Sequence, residues 1–259
     1  MRSVLILVTV LCSALLVAAI HPHHCTASHD SAILSRCSES KVDARLPPTL
    51  NPTAELSRRW VAPPTEWMYG NWKVTYSSHP LFLPLLNMQG DRSPVFPQSS
   101  KTPGKHNGLF TYQLANSSDT IYSLFGTDMP RRSSNKTLGP EWDAVYDWTA
   151  GGSLSSIMTT SEILAWGYDS CGAAYTATYA TVTSMPNLSP SLIISSRSDK
   201  GPSEDTLHAV FEALSCLGNA ELAGSVNRTR KHVQNGARDC LPPYECDTAC
   251  VNNLGVYNA

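Results

Sequence analysis

A chain of 259 residues with 19 Lys and Arg against 21 Asp and Glu is nearly neutral, and its basic residues are scattered. That pattern excludes a nucleic-acid-binding stripe and a polybasic membrane patch. Charged residues make up only 15% of the chain beside 18 Pro and 15 Gly, which suits one large all-β domain of short strands and many turns.

The N-terminus reads as a targeting segment. Arg2 precedes the apolar run Val4-Leu5-Ile6-Leu7-Val8, then Leu15-Leu16-Val17-Ala18-Ala19 ends on small residues. This predicts a signal peptide over 1–19, too short in its apolar part for a membrane span. The mature chain is therefore expected to be secreted, soluble and without a membrane span. Asn-x-Ser/Thr triplets at Asn116, Asn135 and Asn227 are expected glycosylation sites. The triplet at Asn187 is the poorest acceptor, because Pro190 follows its Ser189. Of eight cysteines, loss of Cys12 with the signal leaves seven, and in an oxidising compartment most should pair. The odd one implies a free thiol, a dimer or a mixed disulfide, through Cys171 or Cys216. No metal is expected, since Cys240, Cys246 and Cys250 match no zinc spacing. His21, His23, His24 and His29 in an irregular 20–65 leader fix no coordination geometry either.

From Met68 onward, eight strand-like runs alternate with Gly and Asn turns: 70–78, 108–115, 119–126, 141–149, 153–159, 162–168, 173–182 and 191–197. Residues 79–107 read as a long Pro-rich connection whose apolar side chains, Leu81 to Met88 and Phe96, form either a lid that meets a ligand or a loop that packs down on the rim. In the fourth run Trp142, Ala144, Tyr146 and Trp148 share one face, opposite Asp143, Val145 and Asp147. Alternation does not say which face looks inward. Leu207, Val210, Phe211, Leu214 and Leu217 then recur at helical spacing, between an N-cap at Ser203 and a stop at Gly218. A weaker helix over 220–233 precedes the Cys-rich tail.

Three short phrases occur in a telling order. Gly70-Asn71-Trp72 opens the first run, Gly167-Tyr168-Asp169 precedes the seventh, and Arg197 closes the eighth before the Ser203-Glu204 helix start. Over residues 66–218 the chain resembles the lipocalin/calycin superfamily, and it is similar to secreted calycin-like proteins of filamentous fungi. Its second motif lacks the usual Thr-Asp-Tyr form, and its long Cys-rich ends are additional. The resemblance implies an eight-stranded up-and-down antiparallel barrel with a C-terminal α-helix packed on its outside. It also implies that Gly70, Trp72 and Arg197 close the barrel, the Arg lying across the indole as a cation–π lid worth about 0.5–2 kcal/mol. The remaining segment, 219–259, is then a helix and a Cys-rich tail.

A barrel of this size holds one small ligand. Its expected wall is drawn from Val74, Tyr76, Tyr112, Tyr122, Trp142, Tyr146, Trp148, Trp166, Tyr175 and Tyr179, aromatics whose polar handles suit a ringed apolar molecule. Candidate acids and bases are Asp143, Asp147, Glu162, Asp169 and His79, with no converging pair legible among them. Ser170 has no nucleophile-elbow setting, and no phosphate-cradling Gly loop or cofactor motif is present. The leading expectation is a carrier for a small hydrophobic molecule. The alternatives are a barrel enzyme that isomerises or cyclises a hydrophobic metabolite, and a secreted protein-interaction module. An inward carboxylate or His with a phenol opposite would mark the enzyme.

Overall fold

The computed structural model describes residues 42–50, 60–97, 103–134, 138–139, 142–238, 244–254 and 256–258. The signal segment, most of the 20–65 leader and Asn135 lie outside them. Eight strands run antiparallel: β1 (Gly70–Ser77), β2 (Leu85–Pro94), β3 (His106–Leu114), β4 (Ser117–Pro130), β5 (Val145–Ala150), β6 (Met158–Tyr168), β7 (Ala174–Thr181) and β8 (Ser191–Ser196). Each pairs with its sequence neighbour, while β1 also pairs with β8, so the sheet closes on itself as an up-and-down barrel. Closure leaves none of the eight without a partner on either side.

The count of eight agrees with the sequence, but two members differ. Residues 85–94 are not a lid; they are strand β2, paired with β1 and β3. A bulge between Leu86 and Gln89, with Asn87 at φ 49°, puts both Leu85 and Met88 against the interior. That phase slip breaks the period of two on which strand reading depends. The expected strand at 153–159 does not form: Gly152, at φ 50°, starts a short 3-10 turn (Gly152–Leu154), and β6 begins at Met158. Ala144, at φ 57°, similarly delays the fourth run to Val145.

The one-turn helix α1 (Arg131–Ser134) follows β4, and α2 (Glu204–Ser215) follows β8. Ser203 stands at the N-cap of α2, its Oγ donating to Thr206 Oγ1 at 3.0 Å, and Gly218 at φ 73° ends the turn beyond. Next comes α3 (Ala220–Arg228), capped by the Asn219 side chain, which accepts from Leu222 N at 2.9 Å. Val210, Leu214 and Leu222, all fully buried, cover the outer face of β6–β8 at Leu164, Ala177, Tyr179 and Ile194. The middle strand, β7, is therefore buried on both faces from Ala174 to Ala180.

Beyond α3 the chain stops being helical and enters the barrel wall. β1 and β2 pair only through Gly70–Lys73 and Gln89–Arg92, then part. Into that seam runs a strap: β9 (Arg230–Lys231) pairs with Tyr76 and Ser77, and Val233 bridges to Leu86. The opposite seam is treated alike. β4 pairs with β5 from Gly126 to Pro130, while above that point β10 (Val256–Asn258) pairs with Thr120–Tyr122. Between them α4 (Thr248–Val251) carries the Cys246–Cys250 disulfide. The barrel is thus eight strands round at one end and is widened by two inserted segments at the other. That end is the mouth.

Candidate functional site

At the narrow end, Arg197 places its guanidinium carbon 4.0 Å from the centre of the Trp72 ring. Its Nη1 donates to Asn71 O at 2.5 Å, and Nη2 donates to the carbonyls of Tyr69 and Trp67. Trp72 Nε1 donates to Met68 O at 2.9 Å. Gly70, at φ 86°, is required here, because a Cβ would stand 3.0 Å from Arg197 Nη1. The molecule is thus a closed eight-stranded up-and-down barrel, sealed by Trp72 and Arg197 and carrying a helix after its last strand. The fold is lipocalin-like.

Above the seal lies a cavity of about 470 Å³, within the range of small-molecule sites. Its wall is mainly apolar: Val74, Leu85, Met88, Phe110, Leu114 and Ile193. Loop residues close over it from three sides, Leu81 and Phe82 after β1, Leu154 and Ile157 after β5, and Met185 and Leu188 after β7. Of the expected lid only this first part, next to His79, is at the mouth.

Val74, Tyr112, Tyr122 and Trp148 line the cavity, the two tyrosines stacked with ring centres 5.4 Å apart. The other six expected wall residues do not. Tyr76 faces outward against Phe211. Tyr175 and Tyr179 lie beneath the helices, while Thr176 and Thr178 of the same strand take the inward positions. Tyr179 donates to Glu221 at 2.7 Å, and burial raises the pKa of its phenol. Trp166 packs on Trp67 and donates to Val61 O. Trp142 sits beneath Arg131, beside an outer hollow of about 440 Å³. Tyr146 is inward but below the floor, packed with Met68 and Ile163, and burial pushes its phenol to about 12.

The expected acids have structural partners. Asp143 pairs with Arg132 and Asp147 with Arg131. Asp169 accepts from the backbone of Cys171, Ala173 and Ser203, holding the β6–β7 turn to α2. Glu162 is fully buried on the outer wall, where Thr49 N and Oγ1 donate to it. Burial raises its pKa, and the Thr49 hydrogen bonds oppose that rise.

The floor holds a cluster that sequence reading missed. Asp128 Oδ2 lies 3.1 Å from His106 Nε2 and 3.8 Å from Arg92 Nε. His106 is fully buried, with Nδ1 3.1 Å from Gly104 O and its ring edge-on to Tyr146 at 5.2 Å. Asp128 and Arg92 reach the cavity. Gly108 and Gly126 make room for Trp148 above them: a Cβ on Gly126 would stand 2.4 Å from the indole. His106 and Asp128 fall just outside the runs 108–115 and 119–126, and Arg92 falls in the segment read as a lid. Correct strand ends would have brought the three together, since His106 and Asp128 are register partners.

At the mouth, His79 stacks on Phe82 with ring centres 4.3 Å apart, and His232 Nε2 lies 3.0 Å from Phe82 O. Burial lowers both histidine pKa values, partly offset for His232 by its hydrogen bonds to Phe82 and Val233. A depressed folded-state pKa contributes stability that is full above the unfolded value of 6.5 and is lost as pH falls through the folded value. Thermal melts should therefore drop on acidification below about pH 6.5. The double variant His79→Gln/His232→Gln should flatten that dependence. An unchanged pH profile in the double variant would refute the assignment.

Cys171 is disulfide-bonded and Cys216 is free and exposed, so of the two only Cys216 has a thiol for a mixed disulfide. Asn116 and Asn227 are exposed.

No known protein-family model matches the chain. Over 225 residues it is 27% identical to botcinic acid biosynthesis cluster B protein 12 of Botryotinia fuckeliana (strain B05.10), covering 85% of this chain and 96% of that one. Among solved structures it is similar to lobster apocrustacyanin A1, with 15% identity, a TM-score of 0.43 and coverage of 66% of this chain and 79% of that one. It is similar also to the amine binding protein of Rhodnius prolixus, in its tryptamine complex, with 12% identity, a TM-score of 0.39 and coverage of 72% and 86%.

Proposed function

We propose that this chain is a secreted binding protein that carries one small, largely apolar molecule inside its barrel. The observation that carries this reading is the cavity of about 470 Å³, walled mainly by aliphatic and aromatic side chains and bordered by the apolar loop residues Leu81, Phe82, Leu154, Ile157, Met185 and Leu188. The N-terminal apolar segment, the exposed Asn116 and Asn227 triplets and the Cys246–Cys250 disulfide support export. The fungal relative's place in a biosynthesis cluster points to a specialised metabolite as the cargo.

Native mass spectrometry of the protein from its own host tests this directly. An excess mass that disappears on denaturation and is recovered in organic extract is the expected result. Ala180→Phe provides the control, because Ala180 is an inward-facing residue of the cavity wall. The added ring enters empty space, so binding of an apolar fluorescent probe should weaken more than tenfold while stability changes by less than about 1 kcal/mol. Undiminished probe binding in this variant would place the ligand elsewhere.

A second reading has its own observation. Asp128 reaches the cavity with His106 behind it and the Tyr146 ring beside them, the arrangement of an acid–base pair in a buried site. Product released in excess over protein would favour a barrel enzyme. A ligand recovered unchanged, one per chain, would favour the carrier.

A further inference from the structure

The cavity has two unlike walls. On β1–β3 it is bordered by Val74, Leu85, Met88, Phe110 and Leu114, with the phenol of Tyr112. On β6–β8 it is bordered by Thr159, Ser161, Thr176, Thr178 and Ser195, five of the six Ser and Thr residues that line it. The usual patterning of a strand is inverted on this side. Leu164, Ala177, Tyr179, Leu192 and Ile194 face outward beneath the helices, and the hydroxyls face inward.

Those hydroxyls hold nothing in the fold. Among the described residues none of the five has a side-chain hydrogen-bond partner. Their outward neighbours do: Thr160 Oγ1 donates to Asp147 Oδ1 at 2.8 Å, and Ser196 Oγ donates to Ala174 O at 3.0 Å. Thr176 and Thr178 are nonetheless buried, and a buried hydroxyl ordinarily finds a partner. Trp148, the register partner of Thr159, adds a buried indole N–H on the same cavity that also has none.

Register sets the five in a row. Thr176 stands opposite Ser195, Thr178 is the next inward residue of β7, and Ser161 is opposite Ala180, the one after that. Neighbouring members are therefore about 5–7 Å apart. None of them is ionisable; Asp91, Arg92 and Asp128 border the cavity from β2 and β4, with Arg92 Nε 3.8 Å from Asp128. A hydroxyl can donate and accept, so this wall matches carbonyl and hydroxyl groups alike.

We infer that the β6–β8 wall reads a neutral ligand bearing several oxygen groups along one edge of an apolar body, whose other edge lies against β1–β3. This rests on the carrier reading and adds the chemical class and orientation of the cargo. A plain hydrocarbon chain would cover the five hydroxyls and offer them no partner, which costs affinity.

The test sets dibutyl succinate, with two ester carbonyls, against hexyl heptanoate, a chain of equal length with one. Each is titrated against the apolar reporter N-phenyl-1-naphthylamine, bound to the wild-type protein and to Thr176→Val/Thr178→Val/Ser195→Ala. The variant should lose at least about fivefold more affinity for the diester than for the monoester, the worth of one neutral hydrogen bond. Comparing the two proteins cancels the difference in hydrophobicity between the esters. Thr178→Val alone carries the test if the triple variant does not fold, with the diester again losing more. Equal loss of both esters overturns the hydroxyl wall and leaves the carrier standing. So does a wild-type protein whose reporter the diester fails to displace. A wild-type protein that binds neither the reporter nor either ester overturns the carrier reading and the wall with it.

Discussion

Replacing Trp72 with alanine should lower the unfolding free energy by about 3–5 kcal/mol, the usual cost of truncating a large buried aromatic. Arg197→Ala should cost about 2–4 kcal/mol by a different route. It removes a cation–π contact worth about 0.5–2 kcal/mol and leaves the carbonyls of Trp67, Tyr69 and Asn71 without their charged donor. The two effects are coupled, because the guanidinium stacks on the indole at 4.0 Å. The double variant should therefore cost less than the sum by about 1 kcal/mol or more. Arg197→Lys keeps the charge but cannot reach three carbonyls from one planar fork, so it should recover only part of the loss. Urea unfolding of the four variants measures all of this. An Arg197→Ala cost under about 1 kcal/mol would mean that the seal holds without its lid.

That seal was legible in the sequence because its two residues sit at chain positions fixed by the fold, the start of β1 and the end of β8. The closed barrel, the helix after it and the Ser203 cap position were legible for the same reason: each is a local pattern with a definite boundary. The cavity wall was less so. In β7 every residue from Ala174 to Ala180 is buried, as helices cover one face and the cavity takes the other. Alternation there names two faces without ranking them, and the larger aromatic residues turned out to be the outer ones. Thr176 and Thr178 face the ligand space, against the habit of placing polar residues outward. In β2 the bulge at Asn87 mixed the two faces, and the polar stretch Gln89–Ser93 then resembled a loop. The floor cluster was lost with it, since Arg92 could not be set beside His106 and Asp128 until β2 was known to be a strand. The strap was read as the end of a helix, because nothing local marks 230–235 as an addition to a sheet made more than a hundred residues earlier.

Truncation after Thr229 should be the most damaging change to the mouth. The strap donates His232 N to Thr75 O at 2.7 Å and accepts Asn87 N at Val233 O at 2.9 Å. Gln234 Nε2 bridges the parted strands, donating to Val74 O at 2.8 Å and Met88 O at 3.0 Å. Asn87 answers through its side chain, giving a hydrogen bond to Asn235 Oδ1 and taking one from Asn235 N. Arg238 donates to Asn87 O and Thr111 Oγ1. At about 1 kcal/mol net per hydrogen bond, these contacts sum to roughly 5–8 kcal/mol, comparable with the whole stability of an ordinary domain. The loss goes beyond the sum, because bulged strands left open would expose unpaired backbone groups at the edge of a mainly apolar cavity. The truncated chain should therefore lose its cooperative melt and its binding of apolar probes together. Gln234→Ala isolates the bridge and should cost about 2 kcal/mol, with faster probe release through the widened seam. A truncated protein that melts and binds like the full chain would show that β1 and β2 close without the strap, and the mouth would then belong to the eight strands alone.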